Sequence, residues 1–297
     1  MKPARPVVQS GSFVAGGGGT RLRIVTEPAD RTLRGTVVFA HAFGEEMNKS
    51  RRMAARMARL LAGDGWRVVQ RDLCGCGDSS GEFADATWSA WLDDVDDELA
   101  HAAAGLPVWL WAQRAGALLA STLCGKHRDI DLLLWQPAVS GAQHLQQFLR
   151  LHAGARIVGS AKADNRPTPA QRLRNGETVE VGGYALNPAL AAGLERAAFD
   201  PPTEFRGRVI WLEVSADEST DLMPASARVV QRLSERGIGV TSRVVSGVPF
   251  WQTLEIEDCD ALLADTLELM RNGVSSSEAR RSGASAERET TPHGTPQ

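Results

Sequence analysis

The stretch Pro107-Val-Trp-Leu-Trp-Ala-Gln-Arg114-Ala-Gly116-Ala-Leu-Leu-Ala-Ser121 reads as a strand, a tight turn and a helix. In a G-x-S-x-G turn of this shape, strain holds a serine hydroxyl above the sheet, beside backbone N–H groups that receive an oxyanion. Here Ala112-Gln113-Arg114-Ala115-Gly116 keeps the small flanks and puts Arg114 where the hydroxyl would stand. A guanidinium stays protonated and has no lone pair with which to attack. The stretch therefore predicts the frame of a nucleophile turn without the nucleophile.

On either side, apolar runs and amphipathic stretches alternate. Gly35 to His41 predicts a strand, Lys49 to Gly63 a helix and Trp66 to Gln70 a strand. A helix over about Trp88 to Ala104, the strand Val108 to Ala112, the turn helix to Gly125 and the strand Ile130 to Trp135 follow. This βαβ alternation implies an α/β fold, a mostly parallel sheet with helices on both faces. Ahead of it, Ser10 to Ala15 and Thr20 to Thr26 flank four glycines and predict a hairpin; no Gly-Lys-Ser/Thr follows, so a phosphate loop is not supported. The alternation stops at Gln136 and resumes at Val209 to Val214, and the segment 136–206 is expected to be a cap inserted in the sheet. Its Leu145, Phe148 and Leu149, at helical spacing, would cover the sheet edge where ligands bind in open α/β folds. A helix at Pro224 to Arg236, a strand at Val240 to Val245 and a helix over Cys259 to Arg271 close a domain of residues 1–271. Residues 272–297, rich in Ser, Arg, Glu and Thr, are expected to be a disordered tail.

With 43% hydrophobic residues and a net charge of −3, the chain can bury a large core and offers no basic stripe for nucleic acid. Four cysteines in 297 residues make no disulfide framework, and no apolar run spans a bilayer, so a cytoplasmic protein with no transmembrane segment is expected.

Two further loops fall at the C-terminal ends of expected strands. His41-Ala-Phe43-Gly44 follows the third, at the place of a loop that donates an oxyanion-hole N–H; its histidine is expected to shape the loop. Arg71-Asp72-Leu-Cys-Gly75-Cys-Gly77-Asp-Ser79 follows the fourth as a D-x-x-G-x-G-x-S turn. With these loops and the turn at Arg114, the chain resembles the α/β-hydrolase superfamily over about residues 10–271. More narrowly it resembles the exosortase A system-associated hydrolase 2 family, through Phe43 to Met53, Leu110 to Leu119, Gln146 to Arg150, Gly176 to Tyr184 and Pro249 to Trp251. That resemblance implies a bacterial protein accompanying machinery for envelope protein sorting and exopolysaccharide biosynthesis, with envelope-biosynthesis proteins as partners.

A triad in this fold runs nucleophile, acid, histidine in chain order. The acid has a candidate in Asp217, with Glu218 and Asp221 behind it, but Val245-Ser-Gly-Val-Pro-Phe-Trp251 carries no histidine, and Phe250 and Trp251 are expected to fill the vacated space. Ordinary serine hydrolysis is therefore not expected. Ser121 lies two turns into the helix, where packing is its expected role. An alternative is an active hydrolase or acyl-transfer enzyme for an ester or thioester, using Cys76 or Cys74 as thiolate beside His41. The same three residues would be a metal set only if they converged, and neither a metal nor a cofactor is expected. A cation at a helix N-terminus calls for an anion. Glu45, Glu46 or Asp217 could supply it internally, or a small anionic or acyl ligand could bind among Arg114, Gln113, Ala115, His41, Phe43 and Gly44.

Overall fold

The computed structural model describes residues 5–157, 167–217 and 219–272, the side chains of 151–157 excepted. The expected tail from 273 onward and Glu218 lie outside the described residues; Asn272, assigned to the tail by sequence, is helical. The glycine-rich N-terminus forms the antiparallel hairpin of β1 (Val7–Gly16) and β2 (Gly19–Pro28), longer at both ends than the sequence predicts. Then come β3 (Gly35–Ala40), α1 (Glu45–Gly63), β4 (Trp66–Arg71), α2 (Trp88–Ala100), β5 (Val108–Gln113), α3 (Gly116–Leu123) and β6 (Asp131–Trp135). After the inserted segment, β9 (Val209–Ser215), α7 (Pro224–Glu235), β10 (Val240–Ser246) and α8 (260–272) complete the fold. The inserted segment itself holds α4 (Gly141–Ile157), α5 (Pro169–Arg174), the hairpin β7 (Val179–Val181) and β8 (Tyr184–Leu186), and α6 (Pro188–Arg196).

Eight strands make one sheet in the order β1-β2-β4-β3-β5-β6-β9-β10. β1, β2 and β4 pair antiparallel, and every pairing from β4 to β10 is parallel. Alternation along a strand sends successive side chains to opposite faces, and β5 shows it: Leu110 and Ala112 join α2, α3 and α7, while Trp109 and Trp111 join α1 and α8. Trp109, Trp111, Trp135, Trp211 and Trp251 are all buried. Burying such rings contributes about 25 cal/mol per Å² of apolar area removed from water.

One polar network lies inside this frame. Arg21 of β2 donates through Nε to both Asp94 oxygens of α2, at 3.0 and 2.9 Å, and Asp94 also accepts from the Cys74 backbone N–H at 2.7 Å. Arg71 of β4 pairs with Asp94 at 3.2 Å and Glu98 at 3.2 Å, and donates to the Ala15 carbonyl. All four charged side chains are buried. The network ties the hairpin, the loop after β4 and α2 at one point, and every charge in it has a partner of opposite sign. Removing one member would leave buried charge uncompensated, so Asp94→Ala is expected to lower unfolding free energy by about 3–5 kcal/mol. Urea unfolding of the purified variant checks this; a loss below about 1 kcal/mol, the scale of an exposed pair, would remove the network from its structural role.

Candidate functional site

The turn after β5 is built by a close approach. A Cβ on Gly116 would lie 2.3 Å from the Ala40 carbonyl oxygen, so α3 begins against the end of β3 only because residue 116 is glycine. To pass from the end of β5 to the start of α3 in two residues, Arg114 takes φ 53, a left-handed conformation that costs a non-glycine residue about 1–2 kcal/mol. Its backbone is held on both sides: the N–H donates to the Trp135 carbonyl at 3.0 Å, and the C=O accepts from Ala117 and Ala138. The chain has a nucleophile elbow in backbone form, and an arginine side chain stands at its apex.

That side chain is fully engaged. Arg114 Nε and a terminal nitrogen both donate to Glu46 Oε1, at 3.0 and 2.9 Å, and the other terminal nitrogen reaches the Gln136 carbonyl at 3.4 Å. The guanidinium carbon sits 5.5 Å from the centre of the Trp251 ring, within cation–π range. Of the internal anions considered from the sequence, Glu46 is the partner; Glu45 instead accepts from the Tyr184 hydroxyl at 2.8 Å and Asn48, and Asp217 is exposed. Glu46 Oε2 is buried without a hydrogen bond and faces His144 Nε2 of α4 at 3.6 Å. Burial pushes the His144 pKa down to about 4; Glu46 opposes that shift and Arg114 adds to it.

The surrounding loops close over this pair. Phe43 packs edge-on against Phe148 at 5.0 Å, Trp91 at 5.6 Å and Phe83 at 5.7 Å, and Tyr184 continues the cluster onto Phe83 at 5.1 Å. Gly44, at φ 57, lies under Phe148, where a Cβ would come within 3.1 Å of the ring. The inserted segment thus rests on the loop after β3 through Phe148, His144 and Tyr184. Phe250 is fully buried against Trp135 and Trp251, so aromatic side chains occupy the loop after β10, the triad-histidine position in this fold.

His41 Nδ1 donates to the Ala42 carbonyl at 2.7 Å, and Nε2 accepts from the Leu73 N–H at 3.4 Å. That pattern fixes one neutral tautomer, and burial pushes its pKa down. Both nitrogens are thus committed to joining the loops after β3 and β4. Cys74 and Cys76 are buried, and burial pushes both thiols up, the opposite of what an attacking thiolate needs. Ser121 is buried too, with its Oγ accepting from the Asp200 N–H at 2.8 Å, in keeping with the packing role expected of it. The Ala115 and Phe43 backbone N–H groups, the oxyanion-hole positions, donate to no carbonyl among the described residues.

Three residues that sequence reasoning passed over position the site. Gln136, at φ 42, accepts from the Arg114 guanidinium through its backbone carbonyl and from the Val214 N–H through Oε1 at 2.7 Å, bridging β6 and β9. Buried Glu213 accepts from Trp211 Nε1 and from the Met223 N–H, tethering the loop that carries Asp217. His144 lies outside every motif, and its i, i+4 relation to Phe148 is the signal that could have placed it on the same face.

An eight-stranded, mostly parallel sheet with an elbow after its fifth strand defines an α/β-hydrolase fold. The chain belongs to the serine aminopeptidase S33 family, whose model matches residues 31–188. Solved structures agree on the fold. Est1E from Butyrivibrio proteoclasticus with ferulic acid bound is 16% identical over 89% of this chain and 99% of its own, with a TM-score of 0.63. A thermostable carboxyl esterase from Bacillus coagulans is 13% identical over 90% and 99%, with a TM-score of 0.57. A haloalkane dehalogenase loop variant from Bradyrhizobium elkanii is 15% identical over 92% and 100%, also at 0.57. Among curated proteins no match is found.

His144 supplies a pH test. A histidine near 6.5 when unfolded and near 4 when folded binds more protons in the unfolded state between those values, so stability falls as pH drops from about 6.5 to 4. His144→Gln is expected to flatten that fall by roughly 3 kcal/mol. Urea midpoints at pH 7, 5.5 and 4.5 for both proteins check it; parallel profiles would mean that His144 titrates normally.

Proposed function

We propose that this protein is a non-hydrolytic member of its family, serving as a ligand-binding or accessory factor in bacterial envelope protein sorting or exopolysaccharide biosynthesis. The observation that carries the reading is the Arg114–Glu46 ion pair at the elbow, stacked on Trp251. A serine hydrolase needs an exposed hydroxyl there, a base within hydrogen-bond reach and an open oxyanion site. Here the apex is a paired cation, the base position is an indole, and both thiols nearby are buried away from ionisation. Without nucleophile and base, only weak residual acceleration from backbone donors is left to the fold. The segment 136–206 acts as a cap, and Arg114, Ala115, Phe43 and Gly44 form the surface that a small anionic or acyl ligand meets when Glu46 yields the guanidinium; Gln113, fully buried on Ser50, and His41, with both ring nitrogens bonded, lie behind that surface instead of on it, contrary to the sequence expectation. The envelope role rests on the family resemblance in the segments quoted above, and the cytoplasmic location on the cysteine usage and the lack of a bilayer-spanning apolar run. Among the described residues, no helix is long and apolar enough to cross a membrane.

Fluorophosphonate labelling and p-nitrophenyl butyrate turnover test this directly. The full chain is expected to remain unlabelled and to hydrolyse at the buffer rate, and Arg114→Ser is expected to gain no turnover because the loop after β10, residues 247–259, carries no histidine. Stoichiometric labelling of the native chain, or turnover abolished by one Ser or Cys substitution, would overturn the reading.

A further inference from the structure

The two edges of the sheet are built differently. β10 is seven residues long and presents Arg243, which pairs with Asp265 and Glu268. β1 has ten residues with no charge and no proline, every one from Val7 to Phe13 is exposed, and its register with β2 runs unbroken to Gly16, so no bulge turns it away. Folded proteins blunt an open edge with charges, prolines, bulges or short strands, and β1 has none of these. The Pro6 carbonyl accepts from the Ala29 N–H, so the even-numbered residues of β1 bond to β2 and the odd-numbered ones turn their N–H and C=O outward. On that outer side, the backbone groups of Val7, Gln9, Gly11 and Phe13 bond to nothing among the described residues.

The strand is complementary to a second copy of itself. Antiparallel pairing sets outward residues against outward residues, and the register that uses the whole strand places Gly11 on its own copy, Gln9 on Phe13 and Val7 on Ala15. At that two-fold axis Gly11 has no side chain, and a Cβ there would meet nothing within 4 Å. A glycine in mid-strand with no turn to make weakens the strand, and what it admits is the close approach of another backbone. Phe13, 63% exposed, shares a face with Gln9, because side chains an even number of residues apart lie on one side of a strand. Gln9, with Leu22 and Ile24, lines a cavity of about 220 Å³ that opens behind the elbow between α1 and this edge. Ile24 stands beside Gly11 in the register, so the missing side chain leaves a second copy's Phe13 ring a path to it. The charges of β2 are all paired, Arg21 with Asp94, Arg23 with Glu98 and Glu27 with Arg67, so β2 sets no bare charge beside the edge.

We infer that two copies of this chain pair β1 against β1 about Gly11, joining their sheets into one and seating each Phe13 over Gln9 and Ile24 of the other copy. The pairing goes beyond the elbow reading and stands whether or not the elbow is inert.

Sedimentation of the full chain over a concentration series tests it. A reversible dimer is expected, and Phe13→Glu should raise its dissociation constant at least about tenfold. The thermal midpoint should be unchanged at a dilution where both chains are monomeric. Adding Gln9→Lys to Phe13→Glu should restore the dimer, because the register sets residue 9 against residue 13 and opposite charges then face each other. The four native cysteines are buried, so an introduced surface thiol reports contact between copies. Under diamide, Gly11→Cys should form a disulfide dimer, its Cα atoms about 5.5 Å apart, and Val7→Cys, which faces Ala15 of the other copy, should not. A chain monomeric throughout the series, leaving the edge to another protein's strand or to none, would overturn the inference. So would a dimer indifferent to Phe13→Glu, or one that cross-links as well through Val7→Cys as through Gly11→Cys.

Discussion

The fold hangs on the contact between Gly116 and the carbonyl of Ala40. A parallel sheet with a helix starting directly at the end of its fifth strand leaves no room for a side chain at that crossing, and the preceding turn has to pass through left-handed backbone. Once both conditions are met, residue 114 is presented at the C-terminal edge of the sheet whatever its chemistry. The backbone fixes the place, and the side chain there then has to be reconciled with its surroundings. For an arginine at a helix N-terminus, that reconciliation requires an anion. Glu46, in the first turn of α1, supplies it while also favouring its own helix dipole.

Much of the frame was legible because its signals are local. Alternating apolar runs gave the sheet, small residues around Arg114 gave the elbow, and the glycine-rich turns gave the loops after β3 and β4. The partner of Arg114 was not legible beyond a choice among three acids. Glu45 and Glu46 differ by one residue, and which of them faces the elbow depends on the phase of α1, which begins four residues earlier than its apolar pattern indicates. Long-range polar partners left no trace in sequence either: Arg21 and Asp94 meet across 73 positions, and nothing near either residue marks it as buried. His144 was hidden for the same reason, since its significance comes only from the packing of α4 on the loop after β3.

Aromatic packing and electrostatics act together at the edge of the sheet. Phe43, Phe83, Phe148 and Tyr184 pack above the elbow and restrict the access of water to Arg114 and Glu46, and this lowers the local dielectric around them. Exclusion strengthens the pair and, by the same token, keeps His144 neutral. The apolar residues thus set the charge state of a group with which they share only van der Waals contact.

Gln113 and Arg114 are neighbours in sequence, yet one is buried behind the elbow and the other lies at its apex. Each is fastened to α1, Gln113 through Ser50 and Arg114 through Glu46, and the Ser50 hydroxyl is itself bonded to the Glu46 carbonyl one turn away. The first two turns of α1 are therefore fastened to two consecutive residues, the last of β5 and the apex of the turn that follows it, so a shift of that end of the helix would strain both anchors together.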